Sequence, residues 1–202
     1  DLFTMPDGIH RGECPICCLP MPIDATKCTF MGCCSQIICH GCAHANAKRE
    51  IAAGLEQRCA FCREPVAKSE EEHNKNVMKR IKKNCPAAMC HMGEKCHREG
   101  DYGNAFKYWT RAAEMGDAEA HYNLAIIYMN GEGVEKDAEK EIYHLEEAAI
   151  GGHPEARHNL GCEELENGNF ERGKKHWIIA ANLGHHGSLQ NLRVLYANGH
   201  AS

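Results

Sequence analysis

Ten of the fourteen cysteines fall within the first 62 residues, and no other feature limits the fold as strongly. Six of them form three C-x2-C pairs, Cys14 with Cys17, Cys39 with Cys42 and Cys59 with Cys62, and "GCC" at 32–34 adds Cys33 and Cys34. A C-x2-C turn lets two thiolates from one short loop meet one ion at Zn–S distances of about 2.3 Å, so eight sulfurs suit two tetrahedral zinc ions. A reducing compartment disfavours disulfides at this spacing. A unit of about 55 residues buries too little apolar area to fold alone. Metal then replaces core, with structural zinc contributing about 10–16 kcal/mol per site in peptide systems. All four positions on each ion are filled by protein, so the expected zinc is structural and not a Lewis acid.

The pairing leaves two choices open from the residues alone. Cys28 can replace Cys33 if "KCTFMGCC" folds back, and His40 offers a nitrogen beside Cys39. Using His40 or His44 would break the 39/42 pair, so both read as outward or capping residues, and Cys18 reads as a bystander pointing away from the ion.

The remaining composition restricts partners and location. At 202 residues, 43% hydrophobic and 25% charged, the chain reads as soluble and globular. It has no apolar run of about 18 residues to span a membrane. "DLFTMPDGIHRGE" has no basic segment followed by an apolar one, so a secretory signal is not expected and an intracellular location, cytoplasmic or nuclear, is. The missing initiator Met suggests trimming. A formal net charge of -5, made more negative by thiolate sites, argues against nucleic acid, whose phosphates call for a basic surface. "KRIKK" at 79–83 is the only basic cluster and reads as a solvated helix end.

"ECPICCLPMP", "GCCSQIICHGC" and "RCAFCREPV" together resemble a RING finger of the all-cysteine kind. The resemblance implies a cross-brace in which Cys14, Cys17, Cys39 and Cys42 hold one zinc while Cys33, Cys34, Cys59 and Cys62 hold the other. It also implies a surface for a ubiquitin-conjugating enzyme. Ile16 matches its apolar contact in the first loop, Pro65 with Val66 nearby its second loop, and Arg63 the arginine that bridges the conjugating enzyme and ubiquitin. Ala60 stands where many RING fingers have proline, and Asn46 near a position where many have tryptophan.

Beyond residue 85 a second regularity appears. In "RAAEMGDAEAHYNLA", "EAAIGGHPEARHNLG" and "IAANLGHHGSLQNLR" the columns Ala113/Ala149/Ala181, Gly116/Gly152/Gly184 and Leu124/Leu160/Leu192 recur after 36 and then 32 residues. Each period holds two helical patterns. Ala120, Leu124 and Tyr128 mark one helix, stopped by Gly131, and Ile142, Leu145 and Ala149 mark its partner. Cys90, Cys96 and Cys162 fall on columns of packed side chains, and Trp109, Leu145 and Trp177 share another. These motifs, with "GEGV" at 131–134, resemble Sel-one-like repeats, relatives of tetratricopeptide repeats.

The expected architecture is therefore a small zinc-stabilised RING cross-brace domain and an all-α helical-repeat solenoid of the TPR-like kind. Residues 1–13 read as a tail, 14–66 as the zinc unit, and 67–85 as a linker helix. That helix has a Ser69/Glu72 capping box and a Val77/Ile81 stripe. Repeats follow over 86–200, as pairs near 87–117, 118–153 and 154–185 and a partial one over 186–200 with a last helix near 187–198. The incomplete fourth pair suggests that the protein continues past "NGHAS".

The combination resembles a ubiquitin-protein ligase of the RING type, which forms no covalent intermediate. Its partners would be a ubiquitin-conjugating enzyme and ubiquitin at the RING, and a substrate or adaptor on the repeats. Two other classes fit the same residues. One is a non-catalytic zinc-stabilised scaffold; the other, a zinc or redox buffer, requires loosely held metal.

Overall fold

The computed structural model describes residues 2–197, so the expected chain beyond 197 lies outside the described residues. It contains two compact units, one of residues 11–112 and the other of 2–10 with 113–197.

In the first unit, the "CTFM" and "QIIC" segments pair as antiparallel strands β1 (Cys28–Met31) and β2 (Gln36–Cys39), in register from Cys28 opposite Cys39 to Met31 opposite Gln36. Their turn, 32–35, carries Cys33 and Cys34 and closes with Ser35 at φ 61°. Cys39 ends β2 and begins helix α1 (His40–Ala52), its sulfur accepting from the Cys42 N–H at the first turn.

Helix α2 (Glu70–Ile81) starts at Ser69, whose hydroxyl accepts from Glu72 N at 3.2 Å. The Glu72 carboxylate reaches back to Lys68 N at 2.9 Å, one residue further than a standard capping box. Val77 and Ile81 are the buried stripe. Arg80, inside the basic cluster read as solvated, instead donates two hydrogen bonds to the Cys33 carbonyl at 2.9 and 2.5 Å. Helices α3 (Pro86–Arg98) and α4 (Tyr102–Ala113) follow, α3 with Pro86 at its first turn, where a missing N–H leaves nothing unpaired.

The second unit contains α5 (Ala118–Asn130), α6 (Ala138–Ile150), α7 (Pro154–Glu166), α8 (Phe170–Asn182) and α9 (His186–Ala197). Antiparallel pairs α5/α6 and α7/α8 bury Ala125, Leu145, Ala148, Ala149, Ala156 and Leu160 in one cluster. Gly131 ends α5 in the left-handed region at φ 73°, a conformation glycine adopts without a Cβ clash. The columns that repeat also cap, since Asp117, His153 and His185 each accept the N–H three residues on.

Helix–helix distance in each repeat is set by an exchange of size. Trp109 donates from Nε1 to Cys90 O, and Trp177 to His158 O, both at 3.2 Å. Each indole lies where a Cβ on Gly93 or Gly161 would be; at Gly93 it would meet Trp109 Nε1 at 2.5 Å. In the middle repeat the same two columns hold Ala125 and Leu145, a larger residue on one helix and a smaller one on the other.

Residues 2–10, read from sequence as part of a tail, pack against the repeats of their unit. Leu2 sits against the α5–α7 cluster, and its carbonyl accepts from the fully buried Arg157. The Phe3 ring centroid is 4.9 Å from that of His176, with Arg172 and Lys175 over it at 5.2 and 5.6 Å. His10 N donates to Gly152 O at 3.1 Å. No helix among the described residues is long and apolar enough to cross a membrane.

Candidate metal centres

The first and last C-x2-C pairs adopt the same turn. Cys14 N donates to Leu19 O at 2.9 Å and Cys18 N to Cys14 O at 2.8 Å; Cys59 N donates to Glu64 O at 2.7 Å and Arg63 N to Cys59 O at 3.0 Å. The residue after each pair takes positive φ, 57° at Cys18 and 66° at Arg63. Isolated bridges, Glu13 with Pro20 and Arg58 with Pro65, close the two loops. Cys18 is exposed and belongs to no cluster of sulfurs.

Eight sulfurs converge as two sets of four. Cys14, Cys17, Cys39 and Cys42 lie within 4.8 Å of one another, as do Cys33, Cys34, Cys59 and Cys62, so the pairs interleave along the chain. Cys28 belongs to neither set; its thiol faces Pro22 O at 3.7 Å and Asp24 O at 3.9 Å. His40 and His44 are exposed.

Sulfur separations test the fit to zinc. Cys17 to Cys39 is 3.9 Å, Cys34 to Cys59 is 3.8 Å and Cys62 to Cys33 is 3.4 Å. Arms of about 2.3 Å in a tetrahedron give edges of about 3.8 Å, whereas a disulfide needs about 2.05 Å. The donor set therefore fits a tetrahedral four-thiolate ion and not a pair of disulfides.

Backbone N–H groups already point at these sulfurs: Cys39 N at Cys14 Sγ (3.5 Å), Cys42 N at Cys39 Sγ (3.4 Å), and Phe61 N and Cys62 N at Cys59 Sγ (3.4 and 3.5 Å). Burial opposes ionisation of Cys14, yet N–H groups of Cys39, Cys17 and Ile16 draw its pKa down to about 6. Cys59 is drawn down in the same way, against its burial, by the N–H groups of Cys62 and Phe61. Burial and neighbouring thiols push Cys34 up to about 11 and Cys42 to about 12, and Cys33 upward as well. Cys14 in the first set and Cys59 in the second are thus drawn toward thiolate while Cys42, Cys33 and Cys34 resist ionisation, and a divalent cation held there would favour the thiolate form of its ligands.

The residues expected to contact a conjugating enzyme have distinct surroundings. Ile16 is 41% exposed at the tip of the first loop. Pro65 is exposed, and with Val66, Phe30, Ile38, Ala43 and Ala47 it lines a cleft of about 330 Å³ that does not include Ile16. Arg63 donates to Glu50 Oε1 at 2.7 Å and to Asn46 Oδ1 at 3.1 Å. Glu50, unremarked in the sequence, is buried and also accepts from Arg58 N at 2.8 Å and Asn46 Nδ2 at 3.2 Å. The Arg58 N–H and the Arg63 guanidinium hold its carboxyl below the usual range. A charged residue four after Asn46 on α1 was the available signal, but nothing in the chain indicated that it pointed inward.

Among the other cysteines, Cys90 is buried and Cys96 and Cys162 are half-buried on the repeat helices.

A family profile described as Sel1 repeat matches residues 86–117, 118–153 and 154–185. Chitin synthase regulatory factor 4 of Schizosaccharomyces pombe is 30% identical over 89 residues, 44% of this chain and 14% of that protein. The chain therefore spans a small part of that curated relative. A crystal structure of a Sel1 repeat protein from Oxalobacter formigenes superposes with a TM-score of 0.60 at 29% identity, covering 66% of this chain and 58% of that one. A protective antigen of uropathogenic Escherichia coli with an SLR fold superposes with a TM-score of 0.58 at 22% identity, over 79% of this chain and 34% of the antigen, and shares the fold alone. Repeats of this kind serve protein–protein interaction, each hairpin completing its core on its neighbour and leaving an extended face for a partner. Residues 86–185 are three Sel1 repeats in tandem, forming an all-α solenoid of the TPR-like kind.

Proposed function

We propose that residues 14–66 form a RING-type unit holding two structural zinc ions and that the protein is a ubiquitin ligase whose repeats carry a substrate or adaptor. The interleaving of the two four-sulfur sets is the observation that supports this reading most, since two independent zinc loops would use neighbouring pairs instead. Zinc, when bound, supplies folding energy to this unit and no chemistry to the transfer.

The chain's own residues would then act by positioning. Ile16 and Pro65 offer apolar surface to the conjugating enzyme, and Arg63 offers guanidinium donors where enzyme and ubiquitin meet. Holding a thioester near a substrate lysine raises the rate by orientation without any nucleophile from this chain. A charged hydrogen bond of about 1.5–3 kcal/mol corresponds to a rate change of roughly ten- to a hundred-fold.

A scaffold without transfer activity is the second reading, and the Arg63–Glu50 pair favours it, because that guanidinium is already engaged within its own unit. Autoubiquitination with a panel of conjugating enzymes separates the two. The ligase reading expects chains that Arg63→Ala reduces at least ten-fold. If zinc-loaded protein makes no chains with any enzyme of the panel, the scaffold reading stands in its place.

A further inference from the structure

One helix cap of the repeats leaves a polar atom stranded. His153 caps α7 with Nδ1, which accepts from Ala156 N at 3.3 Å, and an imidazole that accepts there carries its proton on Nε2. That Nε2 is buried without a hydrogen-bond partner, in a side chain only 2% exposed. Asp117 caps α5 at the equivalent position with a carboxylate, which has no such donor to satisfy. His185 caps α9 in the same way with an imidazole but is not among the buried side chains left with an unpartnered nitrogen, so the stranded Nε2 sets His153 apart from both other caps.

The stranded nitrogen faces a second histidine and a carboxylate. His10 stacks on His153 with centroids 4.3 Å apart at 19°, and Tyr122 stacks on the opposite side at 4.2 Å. Glu119 Oε2 is 2.7 Å from His10 Nε2 and 3.9 Å from His153 Nε2. His10 Nδ1 is also buried without a hydrogen-bond partner.

We propose that His10, Glu119 and His153 bind one zinc ion, a site separate from the cysteine clusters that fastens residues 2–10 to the repeats. One ligand atom from each of the three lies within 4.8 Å of the others. Tetrahedral arms of about 2.0–2.1 Å give edges of about 3.3 Å, between the two separations observed. Glu155 Oε2, 3.4 Å from His153 Nδ1, stands where an outer carboxylate orients a metal-bound imidazole. Zinc binding would move the single His153 proton from Nε2 to Nδ1, so that Nδ1–H donates to Glu155 in place of accepting from Ala156 N and the Nε2 lone pair meets the ion. Neutral His10 would likewise shift its one proton to Nδ1 and present Nε2 to the ion beside the Glu119 carboxylate, so no proton is lost, and water would take the fourth position. Two nitrogens and an oxygen make a borderline donor set, suited to zinc and unlike the all-sulfur sets.

Equilibrium dialysis of the full chain against a fixed micromolar Zn2+ concentration, with bound metal counted by mass spectrometry, tests the site. The parent should bind one ion more than Glu119→Gln and one more than His10→Asn, whatever the cysteine clusters hold. Zinc should also slow chymotrypsin cleavage at Phe3 in the parent and leave the rate unchanged in Glu119→Gln. His10→Asn lies outside every helix, so it keeps the count readable if the helix variant misfolds. Equal metal content in parent and His10→Asn, or cleavage at Phe3 indifferent to zinc in the parent, would overturn the proposal.

Discussion

Arg63 and Glu50 meet at 2.7 Å across a boundary of solvation: the guanidinium side chain is 48% exposed while the carboxylate is 1% exposed. Glu50 thereby ties the third cysteine loop to α1, through Arg63 and through the Arg58 N–H. Glu50→Gln replaces one accepting oxygen by an amide donor facing donors. It should lower the thermal midpoint of the zinc-loaded protein by roughly 5 °C or more. An unchanged melt by circular dichroism would remove Glu50 from the forces holding that loop.

Cysteine substitutions separate ligands from neighbours. Cys33→Ser and Cys34→Ser should each release one zinc ion per chain, because both sulfurs belong to the second set. Cys28→Ser should release none. A loss of metal from Cys28→Ser, counted after desalting, would contradict the observed grouping.

Size exchange between repeat helices gives a double-mutant cycle. Gly161→Ala places a Cβ against the Trp177 indole and should destabilise by about 1–3 kcal/mol in urea titrations. Trp177→Leu in the same chain reproduces the Ala125/Leu145 combination of the middle repeat. The double variant should be more stable than the sum of the two single changes predicts, and strict additivity would show that the columns are uncoupled.

Acid should weaken the repeats through buried histidines. Burial holds His144, beside His121 and Lys140, down to about 4, and does the same to His176, beside Arg157, Arg172 and Glu164. Both bind protons more readily when unfolded, so their contribution is complete above about pH 6.5 and is lost as pH falls toward the folded value of about 4. His144→Gln should flatten part of this decline relative to the parent. An identical decline in both proteins would assign the acid sensitivity to other groups.

Elements with a local period were legible from the chain. The 36- and 32-residue columns located the repeats because every hairpin solves the same packing problem, and the Val77/Ile81 stripe located the buried face of α2. The cysteine pairs announced a cluster, and the choice of Cys33 over Cys28 needed the turn of the β-hairpin, which depends on three-dimensional register. Residues 2–10 carry no periodicity, and their partners lie far away in sequence, as with Leu2 and Arg157. Glu50, Arg80 and His153 share one difficulty. Each is a polar residue whose burial or partner is decided by another element, and a side chain's type does not record which way it points.

Residues 2–10 also set an order of events during synthesis. Leu2 leaves the ribosome long before Arg157, so the segment waits, unsheltered, until α7 and α8 have formed. Contacts of such sequence separation form slowly, and exposed apolar chain is what chaperones and proteases find first. Residues 2–10 are thus translated long before they can settle, and their docking marks completion of the repeats rather than their start.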